Sequence, residues 1–340
     1  MVKSFLSLVF ILSSSVSWAQ YGIGNPAILK KLTEKKLIVI TEQPSQKVIE
    51  LMKKKKKFDQ ITEYEAAIED YNTALRQAVT QYWKWDSLPQ YMTMNEADRF
   101  RRTQAKNYAV IYCTTIDNFT TSGNEGGRNF WRLNFPENYK LLNTSREHWR
   151  NYTVLEIKFL EDMARSQPLF RQNLANVIPE KADLAFGVQA VQHYLADSTL
   201  RPRQEPYAWE EVLSGAISAD MQSKTLLLRK DWLAPHFTYN GIKEVYPYPF
   251  VIVDAKQFNE SALLGNPNLV LLQIIPEVLS KKQKIVTNYL HAIIDSMTGL
   301  PLGFVKLKAE DGKDKYISRE SMKELAHYLK KHNSASAGNQ

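Results

Sequence analysis

The chain has 340 residues, 44% of them hydrophobic and 24% charged, with a formal net charge of +8. That balance excludes a disordered or fibrous chain and suits a globular protein of about two domains. One cysteine, Cys113, excludes an internal disulfide, and no run of about 20 apolar residues is present to span a membrane as a helix.

The first residues read as a secretory signal peptide: Lys3 precedes an apolar run over 5–12, and Ser17, Trp18 and Ala19 form a small-x-small cleavage site. Cleavage after Ala19 is expected, so domain organisation begins with a signal peptide over 1–19. Gln20 would then open the mature chain, with no cysteine there to take a lipid anchor. The expected localisation is across the inner membrane, in the periplasm, where nucleic acid and free nucleotides are poor partners.

Residues 37–40 form a continuous apolar run, as for a strand buried on both faces. A helix is expected after Pro44, with Ser45 as its cap and Val48, Ile49, Leu51 and Met52 on its apolar side. It ends in Lys53, Lys54, Lys55, Lys56 and Lys57. A long helix follows, its stripe running from Tyr64 through Ile68, Tyr71, Leu75 and Val79 to Tyr82. A strand at 91–94, a helix over 95–103 and a strand at 108–113 complete a β-α-α-β-α-β order that favours a sheet covered by helices.

The polar, glycine-containing stretch 120–128 reads as a loop. Residues 145–167 fit either one helix or a strand through 152–159 followed by a helix. Pro179 opens a helix to Leu195, with Leu184, Val188 and Val191 on one face. From about Ser214 the first pattern returns: 224–228 echoes 36–40, while 250–258 and 268–272 echo 91–100 and 107–111. A hairpin over 285–297 and 302–308 and a helix over 318–331 follow, and the tail 333–340 is expected to be disordered.

The expected fold class is therefore α/β, with two similar small mixed-sheet lobes carrying flanking helices, joined by a helical middle section. The lobes are placed at 20–140 and 214–332, with a mainly helical connection at 141–213. The arrangement resembles uncharacterised secreted proteins of Gram-negative bacteria with a signal peptide, repeated α/β modules and no assigned activity. The resemblance rests on 71–85 (YNTALRQAVTQYWKW) and 245–254 (VYPYPFVIVD). It implies a compartment and an architecture.

The residues offer little catalytic chemistry. The six histidines include no His-x-x-x-His pair, and one Glu324-x-x-His327 pair on a helix surface does not make a metal centre, so no metal or other cofactor is expected. Neither Gly-x-Ser-x-Gly nor Ser-x-x-Lys occurs after residue 19. Cys113, inside an apolar strand, reads as a buried inert thiol.

Candidate binding residues are the lysines 53–57, for their positive potential, and the aromatic Trp85, Tyr246 and Tyr248, with Trp85 expected to be exposed. The cleft between lobes is the default ligand site. The function expected is a non-enzymatic binding or envelope-maintenance role, with an envelope protein or a small ligand (saccharide or peptide) as partner. The alternatives are an envelope hydrolase with an unrecognised active site, and a peripheral protein whose Lys53, Lys54, Lys55, Lys56 and Lys57 make weak contact with an anionic membrane surface.

Overall fold

The computed structural model describes residues 20–22, 25–85, 88–117, 151–163, 168–200, 221–281, 284–306 and 315–337. The signal-peptide residues 1–19 and the loop at 120–128 lie outside these. The first lobe contains β1 (Gln20–Gly22), α1 (Pro26–Thr33), β2 (Lys36–Thr41), α2 (Gln46–Lys54), α3 (Phe58–Tyr82), β3 (Gln90–Thr93), α4 (Met94–Gln104), β4 (Tyr108–Asp117), β5 (Asn151–Phe159) and β6 (Phe170–Asn173). The helix α5 (Lys181–Leu200) follows. The second lobe contains β7 (Thr225–Arg229), α6 (Tyr239–Val245), β8 (Phe250–Val253), α7 (Ala255–Leu264), β9 (Leu269–Lys281), β10 (Lys284–Asp295), β11 (Pro301–Lys306) and α8 (Arg319–Ala337).

Local chemistry sets the ends of several helices. Asn25 caps α1 by accepting from the amides of Ala27 and Ile28, with Pro26 at the first helical position. Thr93 and Glu96 form a reciprocal capping box at α4, and those hydrogen bonds hold the Glu96 carboxyl below its usual range. Asp254 caps α7, which stops at Gly265 in a left-handed conformation. Ser318 and Ser321 bond reciprocally at the start of α8, and the helix runs to Ala337, into the tail expected to be disordered.

The sheets have six and five strands, in the orders β1-β6-β5-β4-β2-β3 and β11-β10-β9-β7-β8. Apart from the added β1, they are the same sheet. In each, the first strand pairs in parallel with the second and third, and the fourth and fifth return antiparallel. The helices correspond too. Tyr194 of α5 stacks on Phe170 of β6, and Tyr328 of α8 lies against Gly303 and Phe304 of β11.

Residues 151–159 and 170–173 are strands of the first sheet, which corrects the mainly helical section expected at 141–213 and the lobe boundary at 140. The open choice over 145–167 is settled for 151–159 as a strand. Its inward side chains Leu155 and Ile157 sit in the core, a period-2 signal too short to separate from a helix by sequence alone.

The lobes stack head to tail. One face of the first sheet carries α4, on a small core around Ile38, Ile40, Val110 and Tyr112. The other face, with Leu37, Val39 and Ile111, packs under α3 and α5. In turn α5 meets α7 and the second sheet, where Phe186 packs with Ile275, Leu290, Ala292 and Ile294. Thus α5 is covered on both sides, and nearly all its residues through Leu195 are buried. Gly187 permits the close approach, since a Cβ there would meet Leu155 Cδ1 at 3.0 Å.

Polar groups pin the N-terminal end of α5 between lobes. Arg229 at the end of β7 donates to Glu180 Oε2 at 2.5 Å and to Asp231 Oδ1 at 2.7 Å, with its guanidinium 4.9 Å from the centre of the Trp232 ring. Asn259 of α7 donates to Glu180 and accepts from the Ala182 amide. Asp183 accepts from Ala175 N, Asn176 Nδ2 and Glu180 N. Burial, then the Glu180 charge, raise its carboxyl from 3.8 to about 6.

Two predictions follow from this junction. Arg229→Met should lower unfolding free energy by about 3 kcal/mol, because it strands the carboxylates of a largely buried ion pair; a urea midpoint within error of the parent would contradict the assigned role. Because the folded protein holds the Asp183 proton more tightly than the unfolded chain, this group's contribution to stability falls as pH rises from about 4 through about 6. The decline is worth about 3 kcal/mol at most. Asp183→Asn should remove that component, which denaturation at pH 4.5 and pH 7 in parent and variant measures directly.

Candidate functional site

A groove of about 710 Å³ runs between α3 and α7, with one wall from each lobe. The α3 wall is Arg76, Gln77, Thr80 and Gln81, positions one and four apart that share a helix face; the α7 wall is Glu260, Leu263 and Leu264, spaced for the same reason. The opposite faces explain why these residues point outward. On α3, Leu75, Ala78, Val79 and Tyr82 are buried, and on α7 Phe258 and Ala262 are. Leu264 is 77% exposed, one of the most exposed apolar residues among those described.

Tyr82 ties the two walls. Its hydroxyl donates to the carbonyls of Ala262 and Leu263 near the end of α7, at 3.0 and 3.3 Å, and burial pushes its ionisation up to about 12. Gln81 Nε2 donates to the same hydroxyl. Across the opening, Arg76 and Glu260 offer opposite charges; Arg76 also lies 3.4 Å from Glu69 and 5.8 Å from the Tyr91 ring centre. An apolar strip, amide and hydroxyl donors and a charge of each sign suit a short amphipathic ligand in an open groove.

The structure separates the candidate residues read from sequence. Lys53, Lys54, Lys55 and Lys56 are exposed and Lys57 half-buried at the turn between α2 and α3. Trp85 lies beyond the far end of α3, a helix of 25 residues and hence about 37 Å long. It is half-buried against the main core, which corrects its expected exposure, and its indole N–H is buried with no hydrogen-bond partner among the described residues. Tyr246 is 1% exposed and packs edge-on against Tyr248, itself partly buried, with ring centres 5.3 Å apart. Tyr246 therefore serves the core ahead of β8 and offers no binding surface.

The groove residues were not anticipated. Their signal was the Leu263–Leu264 pair beside Gly265, which breaks the buried stripe of α7, together with the polar complement of the α3 stripe.

A second polar group sits on the α4 side of the first sheet. Glu156 is 3% exposed; it accepts from the Tyr112 hydroxyl at 2.5 Å and from Arg171 at 2.6 Å, with Lys158 Nζ at 3.8 Å. Burial lowers the Lys158 ammonium; burial and the neighbouring carboxylate raise the Tyr112 hydroxyl well above its usual value. Among the described residues no three His, Cys, Asp or Glu side chains are arranged to hold a metal ion. Also among them, no helix is long and apolar enough to cross a membrane. No family model, curated protein or solved structure matches this chain.

Cys113 is buried on the α3 side of β4, where burial pushes its thiol up to about 12. It holds its proton at neutral pH and is a poor nucleophile. A thiol reagent at pH 8 should leave the folded protein unmodified for hours and react with one equivalent in denaturant; rapid labelling under native conditions would show the site to be open.

Proposed function

We propose that this chain is an exported, non-enzymatic binding component of the cell envelope, and that the α3–α7 groove takes a short peptide segment. The observation that carries the reading is the two-lobe origin of the groove. Its walls come from one helix of each lobe, so an occupant touches both and is held by their relative position. Leu263 and Leu264 suit an apolar side chain, Gln77, Thr80 and Gln81 suit a peptide backbone, and Arg76 and Glu260 suit an acidic and a basic group. A saccharide, the other ligand class considered from sequence, would make little use of the two opposite charges.

Export is supported by the pattern of Lys3, the apolar run 5–12 and Ala19. In the same reading the lobes descend from one duplicated unit, which the shared strand order supports. A solved structure in which the two strand orders differ would remove that support.

A peptide that fits should raise the melting temperature by mass action, by about 5 °C at a hundredfold excess over Kd. Thr80→Trp, which fills the groove from one wall, and Leu264→Glu, which charges the other, should each abolish the shift while leaving the ligand-free melting temperature within a degree or two. A shift that survives both variants places the ligand elsewhere, and a broad panel of acidic-basic amphipathic peptides without any shift sinks the peptide reading.

A further inference from the structure

The α2–α3 turn combines two features that the sequence alone does not bring together. Leu51 and Phe58 flank the lysine run, and both project into solvent, 42% and 61% exposed. The turn is compact. Lys55 N donates to Leu51 O, Lys56 N to Lys53 O and Lys57 N to Met52 O, each at 3.0 to 3.1 Å. Lys56 takes a left-handed backbone, φ 57°, which reverses the chain between the helices. The result is a tip that carries two exposed apolar side chains and four exposed lysines.

The acidic residues that follow in sequence do not neutralise this tip. From Phe58, α3 rises 1.5 Å per residue, which carries Glu69 and Asp70 about 17 Å away. Nearer carboxylates, Glu50, Asp59, Glu63 and Glu65, are outnumbered by Lys47 and the five lysines of the run. A solvated helix end explains lysines but not an exposed phenylalanine among them. Cations ringing a projecting aromatic are what a bilayer surface selects, since the ring enters the headgroup region while the ammonium groups meet anionic phosphate.

We propose that the α2–α3 tip, through Lys53, Lys54, Lys55, Lys56, Lys57, Leu51 and Phe58, docks this protein reversibly on an anionic phospholipid bilayer. The tip and the groove lie on different parts of α3, so the proposal is independent of the groove's ligand.

The test is co-sedimentation of the full chain with vesicles of 30% phosphatidylglycerol in phosphatidylcholine, against phosphatidylcholine alone. Binding to the anionic vesicles only is expected, falling about tenfold between 0.1 and 0.5 M NaCl. Replacing the five lysines with glutamine should reduce binding to background, at about fivefold per lysine. Phe58→Ser should weaken it about tenfold, and Leu264→Glu should leave it unchanged. Because Cys113 is buried, Phe58→Cys provides a single reactive thiol for an environment-sensitive dye, whose emission should shift to the blue on anionic vesicles. Equal binding to neutral vesicles, or full binding by the glutamine variant, overturns the proposal. A dye that reports no change on bound vesicles overturns it as well.

Discussion

A helix buried on nearly every side has no face left for solvent, and through Leu195 α5 is such a helix. It forms only when both its sides are covered at once, by the first sheet and by the second lobe. Folding of the two lobes is thereby coupled, and the main core runs continuously through both. The desolvation that α5 imposes also dictates the chemistry at its N-terminal end. Amide donors and carboxylates there are removed from water, and Glu180, Asp183, Asn259 and Arg229 satisfy one another across the junction. The groove is what remains where α3 and α7 diverge beside this helix.

Much of the architecture was legible where burial enforces a simple period. The stripe of α3 and the apolar runs of β2, β4 and β7 needed only local pattern, and the return of that pattern after Ser214 pointed to the second lobe. The fourth strand of the first sheet was legible only as one of two options, and the fifth was not legible. In 151–159 charged Glu156 and Lys158 alternate with apolar residues, and 170–173 holds only four residues, two of them glutamine and asparagine, with no strand signal of their own. Their identity comes from pairing with β4, a long-range effect.

The candidate sites were less legible, for a related reason. Trp85 and Tyr246 are the residue types that binding surfaces favour, but cores favour them as well, and only tertiary packing decides. The groove is defined by which residues a helix does not bury, and that needs the neighbouring helix in place. The lysine run was visible at once. What sequence could not supply was the outward direction of Leu51 and Phe58, which the left-handed Lys56 turn determines. The tip and one wall of the groove lie on the crossover between β2 and β3, which is far longer than its counterpart between β7 and β8.

Head-to-tail stacking of like units carries no inherent end, because each added unit would present the same face again and the series could grow into a fibre. In the second lobe the face turned toward α5 is lined by Ile275, Leu290, Ala292 and Ile294. On the corresponding face of the first lobe stand Tyr112, Glu156, Lys158 and Arg171. Another copy's apolar helix layer seated there would strip water from the partly exposed Arg171 guanidinium and offer it no polar partner in return. The Glu156 network therefore disfavours a further unit on that side of the first lobe.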